Sequence, residues 1–184
     1  MTLSSQEAAE NLSQAEEAGR RSKQVYFYRQ SSPHLIIWGI IWVIGYGGTG
    51  LYPLYANPLW AGLVLIGCAS SVVLGRCTKP DGTTGGPYPW RVAGLMAIII
   101  FFVFATYAIL QPHSGRQLAA YPALITGVAY VAVGLWTGPR YVVSGMVVAA
   151  LTLIGFFYIG PIFLWFAVVG GGSMILTGLW FRTV

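Results

Sequence analysis

Beyond His34 the chain carries a single acidic side chain, Asp81, and its long apolar runs carry no charge at all. That pattern settles the solvent before it settles a fold. A hydrocarbon core about 30 Å thick is crossed by about 20 predominantly apolar residues in helix. Six segments qualify: 35–55, 59–75, 92–111, 118–136, 141–158 and 161–181. In lipid the backbone must satisfy its own hydrogen bonds, so uncharged runs of this length read as helices. The chain is 8% charged, against about a quarter in soluble domains, which leaves little for a water-facing domain. The expected fold is all-α: a polytopic membrane protein with six transmembrane helices, preceded by an N-terminal cytosolic helix. Residues 1–33 form the tail and 34–184 the membrane domain.

The threading follows from the cations. Arg20, Arg21, Lys23 and Arg29 precede the first span, and Arg76, Lys79 and Arg91 flank the loop between the second and third. Arg140 follows the fourth span and Arg182 the sixth. With both termini inside, all but one of the ten Lys and Arg residues are cytoplasmic, and Arg116 alone is outside. Cytoplasmic loops are enriched in Lys and Arg, so an N-in, C-in arrangement is expected. Proline-built turns at Ala56-Asn57-Pro58 and Ile159-Gly160-Pro161 close the outer connections. The Lys79–Pro89 loop, with Asp81 and Gly85-Gly86, is the flexible inner one. Trp38, Trp90, Trp136 and Trp180 near one face, and Tyr52, Tyr55, Trp60, Tyr121 and Tyr158 near the other, form the aromatic belts. The net charge of +5 marks span ends and makes no stripe with interleaved aromatics, so nucleic acid is not an expected partner.

The tail is a separate element. Ser4-Ser5-Gln6-Glu7 fits a capping box, and Glu7, Glu10, Glu16 and Glu17 precede the basic residues, which suits a helix dipole. Val25 to Tyr28, among Arg21, Lys23 and Arg29, read as an interfacial stretch, with Pro33 turning the chain into the first span. Glu16, Glu17, Arg20 and Arg21 are the candidate contacts for a cytosolic or membrane protein partner. Membrane lipids, and a second copy of the chain, are the other partners considered.

Inside the membrane the glycines are patterned. Gly127 and Gly134-Leu135-Trp136 in the fourth span match Gly171 and Gly178-Leu179-Trp180 in the sixth, and Gly67 and Gly75 occupy similar depths in the second. This suggests three helical hairpin repeats, pairing spans one and two, three and four, five and six. Helices associate in lipid by close contact at small residues, so Gly67, Ser71, Gly75, Gly127, Gly134, Gly171 and Gly178 are the expected packing positions. Six short spans in three hairpins, with glycine-bearing even spans, resemble the HdeD-like small bacterial membrane proteins. The resemblance covers residues 35–181 as architecture. It implies a bacterial inner-membrane protein linked to stress or acid resistance, and it transfers no functional residue.

Chemistry is hard to place on this chain. Gly45-Tyr46-Gly47-Gly48-Thr49-Gly50 lacks the Lys-Ser/Thr and the preceding strand of a phosphate loop. It reads as a flexible or broken helix segment packed tightly against a neighbour, or as a polar path lined by carbonyls and the Tyr46 and Thr49 hydroxyls. His34 and His113 fall at opposite faces and cannot share a metal. Cys68 and Cys77 are nine residues apart, about 13.5 Å along one helix, too far for a disulfide. No carboxylate lies within the membrane to drive proton-coupled transport. No catalytic residue, metal site or cofactor is expected. The leading expectation is a non-catalytic accessory or regulatory protein acting through protein or lipid partners; the alternative is a channel or carrier for a small neutral solute.

Overall fold

A computed structural model describes residues 5–77 and 89–183, and every regular element among them is helical. Helix α1 spans Ser5–Leu51, α2 Ala56–Cys77, α3 Pro89–Leu110, α4 Gly115–Thr137 and α5 Pro139–Tyr158. The last span begins as α6, Ile162–Trp165, widens to a π-helical turn over Phe166–Gly171, and ends as α7, Gly172–Phe181. Five stretches are long and apolar enough to cross a membrane: Ala9–Leu51, Pro53–Gly75, Gly115–Thr137, Pro139–Tyr158 and Ile162–Phe181. Helix α3 is 22 residues long, and its described apolar part is Ile98–Leu110.

The main departure from the sequence reading is α1. Pro33 does not turn the chain: the helix continues through it for 47 residues. Proline in a helix forfeits one backbone bond and crowds the preceding turn. Here the flanking turns are clamped from outside. The buried Ser32 hydroxyl donates to the Gly178 carbonyl at 2.7 Å and accepts from Arg182 Nε at 3.0 Å. Leu35, one turn on, is buried beside Tyr28, Tyr141 and Phe181. A helix of this length measures about 70 Å, more than twice a hydrocarbon core.

The turn between the first two spans also differs from the expectation. Leu51 ends α1, a 3-10 turn follows over Pro53–Tyr55, and Ala56, Asn57 and Pro58 already belong to α2. A proline in the first turn of a helix costs no hydrogen bond, because that amide has no acceptor there. The Ile159–Pro161 turn is where the sequence places it. Helix α4 opens on a capping box: the Gln117 amide donates to Ser114 Oγ, and the Ser114 amide to Gln117 Oε1, both at 3.3 Å. Ser4 and residues 78–88 lie outside the described residues, so the expected capping box of the tail and most of the expected Lys79–Pro89 loop do too.

Small residues set the helix pairings. Between α4 and α5, a Cβ on Gly127 would stand 2.9 Å from the Gly145 carbonyl oxygen, and one on Gly134 2.6 Å from the Val142 amide. Between α1 and the last span, Gly39 and Gly171 face each other, each with its Cβ position 2.8 Å from the other's carbonyl oxygen. Gly178 meets the Ser32 carbonyl at 3.0 Å. On α2, Gly67 lies under Ile41 and Trp38, and Trp38 Nε1 donates to Ser71 Oγ at 3.2 Å. Gly75 differs: among the described residues nothing approaches its Cβ position within 4 Å.

Among the described residues α4 packs along α5, and α1 along α7. The α4–α5 connection turns at Gly138. Its φ of +139° is open to glycine and strained for other residues, and it lets α4 fold straight back into α5. Packing then centres on Ile41, Trp42, Tyr46, Ala123, Phe166 and Met174, with a second cluster of Tyr28, Leu35, Tyr141 and Phe181.

Candidate functional site

The glycine run Gly45–Gly50 does not break α1. Neighbours fill the space that side chains would take. The Trp60 indole lies 2.7 Å from the Cβ position of Gly45, Leu59 covers Gly48, and Phe163 and Leu164 come within 3.3 Å of Gly50's. The two hydroxyls of the expected polar path are engaged. Thr49 Oγ1 donates to the Gly45 carbonyl at 2.7 Å and accepts from Trp60 Nε1 at 3.0 Å. Tyr46 is 5% exposed, and its hydroxyl donates to the Ala119 carbonyl at 3.0 Å. Its ring sits among Trp42, Trp60 and Phe166 at centroid distances of 5.0–5.4 Å. The helix break is therefore corrected to a glycine-lined seat for aromatic rings. Small residues are needed there because indole is the neighbour.

The tail differs in every respect. Side chains from Ala9 to Lys23 are all exposed, including Glu16, Glu17, Arg20, Arg21 and the apolar Leu12. Arg21 and Glu17 approach to 3.6 Å at 78% and 63% exposure, a surface pair worth little to stability. Such charges remain available to a partner. The expected interfacial stretch is divided: Tyr26 is exposed, whereas Tyr28 is buried against Phe181, with ring centroids 4.7 Å apart.

The arginines do more than mark topology. Arg116 stands in the first turn of α4, where the helix dipole disfavours a cation. Its guanidinium serves another helix, donating to the carbonyls of Phe156, Gly155 (3.4 Å) and Gly160 (3.5 Å) where α5 ends. Arg140, in the first turn of α5, repeats the device. Its Nη1 donates to the Trp180 carbonyl at 2.6 Å and to Thr183 Oγ1 at 3.2 Å, near the end of α7. Its guanidinium carbon lies 4.8 Å from the Trp180 ring centroid and 5.7 Å from that of Tyr28. The Tyr28 hydroxyl in turn accepts from the Arg140 amide at 3.2 Å. Arg182 Nε reaches Ser32, as above, so two guanidiniums gather at one end of the bundle. Sequence reasoning missed these roles. The available signal was a basic residue in a helix's first turn, where its own dipole gives no reason for it.

His34 is half-buried on α1, and His113 is exposed in the α3–α4 connection, its amide donating to Gln117 Oε1 at 3.0 Å. Cys68 is an exposed free thiol on α2, the helix that also contains Cys77.

The fold and its apolar helices define a membrane-embedded helical protein. No family model matches the chain, and no curated protein or solved structure shows significant similarity to it.

Proposed function

We propose that this is a non-catalytic accessory or regulatory protein of the inner (plasma) membrane, with both termini cytoplasmic and its exposed N-terminal helix as the recognition surface. The observation that carries this reading is the continuity of α1. One helix links exposed Glu16, Glu17, Arg20 and Arg21 to the Gly39–Gly171 contact inside the bundle. A protein bound to the stalk therefore acts on the packed core without an intervening hinge. The bias of Lys and Arg toward one side supports the orientation. The resemblance to HdeD-like proteins adds a stress-related role. Lipid, or a second copy of the chain, covers exposed faces such as Phe101 and Phe104 of α3 and Leu65 of α2.

Deleting residues 1–22 tests the reading. Function and capture of the partner are expected to be lost, while insertion and thermal stability are retained, because the deletion touches none of the buried contacts. Charge reversal at Glu16 and Glu17 weakens capture in a salt-dependent way, since exposed charges are screened over about 8 Å at physiological ionic strength. Solute flux in liposomes that persists without the tail, and is blocked by bulky substitution at Gly47, would replace this reading with the channel.

A further inference from the structure

We propose that Arg140 and Arg182 form a binding site for the phosphate of an anionic phospholipid headgroup. This rests on the membrane-embedded reading and adds a ligand class to it.

Both guanidiniums lie at the end of α7. Arg140 is fixed by the Trp180 carbonyl and Thr183, Arg182 by the Ser32 hydroxyl. Each is held by one of its three nitrogens. Among the described residues, Nε and Nη2 of Arg140 and both terminal nitrogens of Arg182 have no hydrogen-bond acceptor, although a guanidinium offers five donors. The one ion pair among the described residues, Glu17–Arg21, lies elsewhere on α1. Two positive charges thus lie at the same helix end with donors unused among the described residues, and a guanidinium fork suits phosphate oxygens. Their bonds to the protein already restrict their motion, which lowers the entropic cost of binding.

The surroundings select a lipid. Trp180, 40% exposed, stacks on Arg140, and an indole with a polar edge settles at headgroup depth. Leu176, one turn earlier on the same face of α7, is 68% exposed and continues that face as an apolar track for an acyl chain. Basic clusters at the ends of membrane helices recognise anionic headgroups. A free phosphate ion would use the arginines and ignore the track.

Native mass spectrometry of the purified full-length chain, titrated with phosphatidylglycerol and with phosphatidylcholine, provides the test. Preferential retention of phosphatidylglycerol is expected. Arg182→Gln should weaken that retention about fivefold, in keeping with one basic residue at an anionic surface. Arg182→Lys, which keeps the charge and a donor for Ser32, should weaken it less and preserves the fold if Arg182→Gln does not. Arg21→Gln, on the stalk, should leave the lipid preference unchanged. Equal retention of the two lipids, or unchanged preference in both Arg182 variants, overturns the site. Displacement of phosphatidylglycerol by millimolar inorganic phosphate would make the ligand a free anion and overturn the lipid assignment. Deleting residues 1–22 should leave the preference intact, so this proposal and the stalk reading fail separately.

Discussion

Gly145→Leu is expected to destabilise the protein by about 3 kcal/mol, the upper part of the range for overpacked interiors. A Cβ on Gly145 would stand 2.5 Å from the Gly127 carbonyl oxygen and 2.7 Å from the Val131 amide. Both are backbone atoms of α4, so no side chain can swing aside, and the helices must separate. Separation is costly in lipid, where close contact rather than hydrophobic force holds helices together. Gly75→Leu supplies the comparison, because no described residue lies within 4 Å of that position and leucine is the better helix former. Thermal unfolding in detergent should show a large drop for the first and none for the second. Equal melting temperatures would mean that α4 and α5 do not meet at Gly127 and Gly145.

The second large effect concerns Arg116. Arg116→Ala should cost about 2 kcal/mol, since it strips a charged donor from half-buried carbonyls at the end of α5. Three carbonyls share this guanidinium, those of Gly155, Phe156 and Gly160. Arg116→Lys should recover part of the loss: an ammonium is a point charge and cannot spread across acceptors as the planar fork does. Thermal unfolding of the three proteins orders them wild type, lysine, alanine. An alanine variant as stable as the wild type would reduce Arg116 to a topology marker.

Sequence legibility followed the range of the interactions involved. The apolar helices were readable because hydropathy is local, and Gly67, Gly127, Gly134, Gly171 and Gly178 because small residues have one common use in lipid. What failed depended on partners distant in sequence. Pro33 looks like a turn until Ser32 is seen bonded to Gly178, 146 positions away. Gly45–Gly50 looks like a break until Trp60 and Leu59 occupy the space. Gly75 fits the same spacing as Gly67 but meets no neighbour among the described residues, because spacing fixes a face and not what stands opposite it. The Arg140–Trp180 contact joins residues 40 positions apart, and no local pattern encodes it.

Helix α1 is one rod from the exposed stalk to the far side of the bundle. A pulsed electron-spin distance measurement tests it most directly, with labels at Ser13 and Leu51, both exposed, and Cys68 and Cys77 replaced by serine. At 1.5 Å per residue a continuous helix separates these backbone positions by about 57 Å. A narrow distribution near that value is the predicted result. A right-angle turn at Pro33, with the tail lying on the membrane surface, would bring the labels to about 40 Å; a distribution centred there, or one too broad to define a rod, would contradict the account.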